Sequence, residues 1–327
     1  MKRNAHAGCK GTGGLSLSIL NDDELNSIHL ATLEVMQKTG IFIDNQEARQ
    51  RLGDAGCDVD AETKVVKFMP YLVEDGIRSA PSTFVACGRN PEDDVSLEDN
   101  RVYFTNFGEG IEMIDTFTGE RHPTTKQDAI NAALVCDALP NIEVYERAVL
   151  SHDVPQAVSA LHNAEASLLR TRKHHFLGPV NGFQARKLVE MIETIVGGKD
   201  KLKQRPLMTF VNCPTSPLRL PEDLCDSVMV GAENHLGNMV LSMVMPGGSG
   251  PVTLAGDLVV HNAEVLAANT LVQVTRKGAP FVYGDSSCTL DMRTANACVG
   301  TPEAALVNAA TARLARYYGL PSFIAGG

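Results

Sequence analysis

The chain has 327 residues, 44% of them hydrophobic and 21% charged, a profile of a water-soluble globular protein with one large α/β domain plus an extension, or two domains. Twenty-nine Lys and Arg against 39 Asp and Glu give a net charge of −10, the wrong sign for nucleic acid or an anionic membrane surface, so both are excluded as partners while a small cation is compatible. Eight scattered cysteines without a Cys-x-x-Cys pair, no apolar leader and no stretch of roughly 18 apolar residues predict reduced thiols, no membrane span and a cytoplasmic location.

Residues 1–20 form a Gly-rich, weakly patterned lead, expected to be a draped or mobile arm. Asn21 and Glu24 then set up a capping box. Leu25, Ile28, Leu33 and Met36 follow at helical spacing and Gly40 closes, which predicts a helix between them. Asp44 with Glu47 predicts the start of a shorter helix ending near Gly56. Two β-like runs, 64–68 and 83–87, are separated by a helical turn at 71–79. Residues 1–100 are read as a mainly helical N-terminal extension packed on a main domain of residues 101–327.

From residue 101 the pattern is regular. Strand-like runs fall at 102–107, 142–150, 174–179, 207–213, 239–245, 281–283 and 322–325, and helical patterns at 126–139, 156–172, 185–196, 222–236, 253–277 and 303–318. Pro155, Pro221 and Pro302 stand at first turns, and Gly197, Gly237, Gly278 and Gly319 after last turns. Strict alternation predicts parallel α/β architecture, with a (β/α)8 barrel of the TIM type first and an open doubly wound sheet second. A barrel of about 250 residues devotes roughly 30 to each β/α unit. Residues 101–327 therefore fall a strand and two helices short, and nothing follows to cover LPSFIAGG. The expectation is an incomplete barrel of about seven strands, either cut short or continuing beyond Gly327 in the natural polypeptide.

Residues after barrel strands build the active face. These are Asn106, Glu109 and Glu112, then His152 and Asp153, then Asn181, then Thr215 and Ser216, then the 246–251 loop PGGSGP, then Asp285, Ser286 and Ser287. Each is also the residue type of a cap or turn. Gly247, Gly248 and Ser249 could bring backbone N–H groups to a ligand, although the loop has neither a Walker ending nor G-x-G-x-x-G spacing. The next helix carries Asp257, His261 and Glu264 on one face, either a carboxylate–imidazole–carboxylate row serving a polar channel or a solvated stripe. His174 and His175 are adjacent in a strand and point to opposite faces, and no H-E-x-x-H, Cys/His cadence or G-x-S-x-G occurs, so a built-in metal site is not expected. Phe107, Tyr283 and Phe323 fall near strand ends. With carboxylates they suit an alkylammonium cation, and without a ligand they are barrel core.

The blocks LNDDELNSIHLATLEVMQKTGIFI, RLGDAGCDVD, CPTSPLRL, GGSGPVTLAGDLVVHNAEVLAANTLVQ and VGTPEAALVNAATARLARYYGLPSFIAGG together resemble the trimethylamine methyltransferase family, from about residue 17 onward. The resemblance implies a (β/α)8 barrel that demethylates a methylamine or betaine and hands the methyl group to the cobalt of a corrinoid. That corrinoid (cobalamin) belongs to a cognate partner protein, and no cofactor is bound permanently. In the family's trimethylamine branch the segment resembling YYGLPSFIAGG leads into pyrrolysine, encoded by an in-frame UAG, which implies a continuation past Gly327. Pyrrolysine's imine carbon would accept the amine, positioned for attack by Co(I). Glu109 and Asp285, with Glu264 behind them, are the candidate catalytic acids. Phe107, Tyr283, Phe323 and His261 are candidate substrate-binding residues, and Gly247, Gly248 and Ser249 a candidate cofactor-binding loop. A related branch without pyrrolysine acts on glycine betaine or similar quaternary amines and shares these blocks. A truncated barrel that only binds its partner or an alkylammonium ligand is the reading from another class. An unclosed barrel also exposes strand edges, which predicts self-association into a homo-oligomer.

Overall fold

The computed structural model describes residues 9–10, 18–98 and 101–326. Most of the expected N-terminal arm lies outside the described residues. Cys9–Lys10 is a short strand paired antiparallel with Arg101–Val102.

Asn21 caps helix α1, Asp22–Lys38. Its side chain accepts from the Glu24 N–H at 2.9 Å, and the Glu24 carboxylate accepts from the Asn21 N–H at 2.8 Å. Gly40 ends the turn at φ +80°, where a Cβ would fall 2.7 Å from the Val66 carbonyl oxygen. Helix α2, Gln46–Asp54, is capped by Asn45 and not by Asp44. The Asp44 carboxylate instead accepts from Lys64 Nζ at 2.7 Å. The expected turn at 71–79 is a full helix, α3, Pro70–Ser79, started by proline at its first position. Ile41–Ile43, Val65–Lys67 and Asp58–Val59 join Arg219–Leu220 in a four-stranded sheet, so a loop of the later half completes the N-terminal layer.

The main sheet has six parallel strands in chain order: β1 (Val144–Glu146), β2 (His174–Leu177), β3 (Met208–Asn212), β4 (Gly237–Ser242), β5 (Phe281–Asp285) and β6 (Ser322–Ile324). Helix α4 (Lys126–Ala138) precedes β1. Helices α5 (Ser159–Leu168), α6 (Gly182–Val196) with the short α7 (Lys199–Gln204), α8 (Glu222–Glu233), α9 (Leu254–Thr275) and α10 (Pro302–Tyr317) fill the crossovers. This is an α/β half-barrel of the TIM type. The expected first strand is a correction. Residues 102–107 touch the sheet through a single parallel bridge, Thr105 to Val144. Beyond it the Asn106 side chain takes the place of a ladder, donating to the Glu146 carbonyl at 2.8 Å and accepting from the Glu146 N–H at 3.0 Å.

Strand alternation divides the core. Val144, Phe176, Met239, Leu241 and Val282 fill the concave face. Tyr283 and Phe281 face the helices, where they join one cluster with Leu25, Met36, Leu258 and Leu271. Helix α9 is sandwiched between the sheet and α1, α2 and α3, so from Asp257 to Gln273 it is buried on nearly every side, its polar residues included. Among the described residues, no helix is long and apolar enough to cross a membrane.

Candidate active site

A cleft of about 1160 Å³ opens at the C-terminal ends of the strands. Phe107, Glu109, Glu146, Arg147, Cys213, Ser286, Ser287 and Phe323 are among the residues that line it. A parallel sheet directs its strand ends and the following loops to this side, the usual place for a ligand in such folds.

Glu109 and Arg147 form an ion pair at the strand ends, apart from the Glu98–Arg101 pair that also lines the cleft. Glu109 holds a left-handed backbone (φ +68°), and its N–H donates to the Arg147 carbonyl at 3.2 Å. The Arg147 side chain is 8% exposed and that of Glu109 43%. Arg147 Nη1 also donates to the Gly178 carbonyl at 2.9 Å, so the guanidinium bridges the segment before β1 and the end of β2. Beside them the Glu146 carboxyl has no hydrogen-bonded or ionic partner among the described residues. Burial and then the nearby Glu109 charge push it up to about 7, against the opposing pull of Arg147. Read as one strand, the run 142–150 leads to His152 and Asp153, whereas β1 stops at Glu146 and leaves Glu146 and Arg147 at the cleft. The signal in the sequence is the adjacent charged pair Glu146–Arg147 between the apolar stretches VY and AVL.

The other expected acids lie behind the cleft wall, between the sheet and α9. Phe281, Tyr283 and Asp285 share one face of β5, the helix side. Asp285 Oδ1 accepts from the Ser287 N–H at 2.7 Å and lies 3.5 Å from His261 Nδ1. Its Oδ2, His261 Nε2 and both Asp257 oxygens are buried without partners among the described residues. Burial lowers the His261 imidazole, partly offset by Asp285. Burial, then Asp285 and Glu264, push the Asp257 carboxyl up to about 7. Glu264, raised by burial, accepts from Ser242 Oγ at 2.6 Å, Ser216 Oγ at 2.9 Å and the Leu218 N–H at 2.8 Å. The Tyr283 hydroxyl donates to Asn262 at 2.7 Å, and Asn262 donates to the Tyr318 hydroxyl and to Thr32. The Asp257–His261–Glu264 row is therefore buried and not a solvated stripe. Tyr283, His261, Glu264 and Asp285 do not line the cleft. Asp285 reaches it only through Ser287, which does.

The 246–251 loop also departs from expectation. The N–H groups of Gly248, Ser249 and Gly250 all donate to the Met245 carbonyl, at 2.9, 3.0 and 3.2 Å, and Gly247 donates to Gly250. A tight turn consumes the amides that a ligand would need, and Gly247, Gly248 and Ser249 lie outside the cleft lining. Phe107, 77% exposed, stands at the cleft's rim, whereas Phe323 packs 5.8 Å from the Phe176 ring on the concave face. Asn181 caps α6 and Asp153 accepts from the Lys126 N–H at the start of α4. His174 Nδ1 meets the Cys87 carbonyl and Nε2 the Thr209 hydroxyl, while the His175 ring sits against Tyr145. The two imidazoles thus face different neighbours. Among the described residues, no group of three or more His, Cys, Asp or Glu could hold a metal ion.

Comparisons with known proteins complete the picture. The family model described as trimethylamine methyltransferase (MTTB) matches residues 12–327. The chain is 44% identical over its whole length to trimethylamine methyltransferase MttB of Desulfitobacterium hafniense (strain DSM 10664 / DCB-2), spanning 66% of that protein. It is 39% identical to trimethylamine methyltransferase MttB of Methanosarcina thermophila, over 99% of this chain and 68% of that one. Identity to the glycine betaine methyltransferase of Desulfitobacterium hafniense (strain Y51) is 34%, over 95% of this chain and 64% of that protein. Among solved structures, the Methanosarcina barkeri monomethylamine methyltransferase (MtmB) matches with a TM-score of 0.58 at 13% identity, covering 93% of this chain and 67% of that one, a likeness of fold. The chain spans about two thirds of the length of the curated relatives it matches.

Proposed function

Because the chain belongs to the trimethylamine methyltransferase family, we propose that it forms the amine-binding part of an enzyme that takes a methyl group from trimethylamine and passes it to a corrinoid carried by a separate protein. The observation that carries this reading is identity along the whole chain, 44% to a trimethylamine methyltransferase against 34% to a glycine betaine methyltransferase. The cleft's chemistry supports it. A trimethylammonium ion needs apolar surface for three methyl groups and negative charge for the nitrogen. Phe176, Phe323 and Val211 supply the first, and Glu109 and Glu146 the second.

The partner's Co(I) corrinoid, when bound, supplies the nucleophile that takes the methyl group. The chain's own residues bind and orient the amine. Arg147 fixes Glu109 at the rim, and the concave apolar face keeps the methyl groups out of water. Asp285 holds Ser287 in the cleft wall, so its role is positioning. The pyrrolysine that the family resemblance implies after this block would start from the cleft wall, since Ile324, Ala325 and Gly326 line it.

The test is methyl transfer to reduced corrinoid protein, followed by the absorbance change of the cobalt centre, with trimethylamine and glycine betaine compared on the enzyme from its native host. Preferential turnover of trimethylamine is the expected outcome. A preference for glycine betaine would move the chain to the branch of its 34% relative. Binding without turnover of either would reduce it to a binding module.

A further inference from the structure

Glu146 is a recessed acid of the cleft whose carboxylate has no hydrogen-bonded or ionic partner among the described residues. Asn106 grips its backbone N–H and carbonyl, so the end of β1 is fixed and the side chain stands at the cleft surface. Gly108 passes directly over it, and a Cβ there would fall 2.5 Å from Glu146 Oε1. Arg147 is next in sequence, but its guanidinium is committed to Glu109 and to the Gly178 carbonyl. Two carboxylates therefore share one guanidinium, a local excess of one negative charge when both are ionised. Two further titratable groups stand in the same lining: the Cys213 thiol, raised to about 11 by desolvation and by Glu109 and Glu146 and therefore neutral, and Asp223, a third carboxylate at the outer edge. A largely desolvated carboxylate that must share its counter-charge is costly to ionise, and a cation that pairs with it recovers that cost.

We propose that Glu146 is the specificity-determining residue for the amine: its carboxylate accepts the single N–H of trimethylammonium and, with Glu109, repels ligands that bring a carboxylate of their own. This assignment rests on the reading of the cleft as the amine site. A charge-assisted N–H···O bond is about twice as strong as a neutral one and is available to trimethylammonium, but not to a quaternary ammonium of similar size. Glycine betaine lacks the N–H and adds an anion beside two carboxylates, so it is disfavoured on both counts.

Isothermal titration of the 327-residue chain with trimethylammonium chloride, tetramethylammonium chloride and glycine betaine tests this, using the wild type and Glu146→Gln. The amide keeps the side chain's shape and removes its charge. Trimethylammonium binding is expected to weaken by about tenfold or more in the variant, tetramethylammonium binding to weaken less, and glycine betaine binding to hold or improve. In the wild type, trimethylammonium affinity is expected to rise with pH through about 7, where Glu146 ionises. If the Glu146→Gln variant fails to fold, Gly108→Ala, which displaces the Glu146 carboxylate without changing it, is titrated in its place. Equal trimethylammonium affinity in a folded Glu146→Gln or Gly108→Ala variant overturns the Glu146 assignment and leaves the cleft as amine site. A folded wild type that binds none of the three overturns the cleft reading, and the assignment falls with it.

Discussion

Arg147 holds Glu109 at two points: its guanidinium pairs with the Glu109 carboxylate and its backbone carbonyl accepts the Glu109 N–H at 3.2 Å. The double hold keeps a non-glycine residue in the left-handed region at the rim of the cleft. Glu109→Gln leaves the backbone bond and removes the charge opposite a buried guanidinium. Because Glu109 is 43% exposed, solvent screens part of the loss, and a destabilisation of about 1–2 kcal/mol is expected in chemical denaturation. The same substitution removes one of the two causes that raise Glu146, so the Glu146 carboxyl should titrate lower. Carbon-13 NMR of labelled glutamate checks this, and an unmoved Glu146 titration would show that the two acids do not sense each other.

Asp257 gives a pH dependence of stability with a defined sign. Its carboxyl is raised from 3.8 to about 7, first by burial and then by Asp285 and Glu264. The folded chain keeps a proton that the unfolded chain loses near pH 4. This group's contribution is therefore full below about pH 4 and declines as pH rises toward 7. Asp257→Asn fixes the neutral form at every pH. Relative to wild type, the variant is expected to gain stability steadily between pH 4 and 7 and to plateau above. His174 and His175, lowered by burial to about 3 and about 4, act in the opposite direction below pH 6.5, and the comparison of variant with wild type cancels them. A pH-independent difference would show that Asp257 has a counter-charge.

Glu264 ties three segments together through Ser216, Leu218 and Ser242. Glu264→Ala strands the buried Ser242 hydroxyl, the half-buried Ser216 hydroxyl and a backbone N–H, with an expected cost of about 2–4 kcal/mol. Glu264→Gln keeps one acceptor oxygen and is expected to cost about half as much. If both variants unfold at the wild-type midpoint, water replaces the carboxylate and the tie is not structural.

The architecture was legible because its signals are local. The Asn21–Glu24 box, Pro302 in a first turn and the alternation from residue 126 on all depend on neighbours within a few residues and are found in place, whereas Pro155 and Pro221 stand one residue before their elements. The site was less legible because it depends on parity and on exact strand ends. Counting from Phe281 in steps of two puts Tyr283 and Asp285 on the side of Phe281, away from the cleft. Nearness to a strand end alone does not reveal this. Nor could the 102–107 run disclose that Asn106 would replace ladder bonds with side-chain bonds to a residue 40 positions on. The Asp257–His261–Glu264 row is buried because it faces the sheet and the loops after its strands, meeting Asp285 and Ser242, a long-range contact that periodicity does not encode.

Gly108 offers a way to move Glu146 without altering it. A Cβ at 108 would meet Glu146 Oε1 at 2.5 Å, Cδ at 2.6 Å and Cγ at 2.9 Å, all in one flexible side chain and none in backbone, so Gly108→Ala is expected to turn the Glu146 side chain about its Cα–Cβ bond and leave the strand in place. A rotamer change costs about 1 kcal/mol or less, and the unfolding midpoint should shift little. Trimethylammonium affinity, by contrast, should fall by about tenfold, because a charge-assisted hydrogen bond depends on the donor–acceptor distance and angle. Tetramethylammonium, which makes no such bond, should be affected less. A Gly108→Ala protein that keeps wild-type trimethylammonium affinity would mean that the amine is held by the aromatic walls and the field of the acids, and not by a directed bond to Glu146.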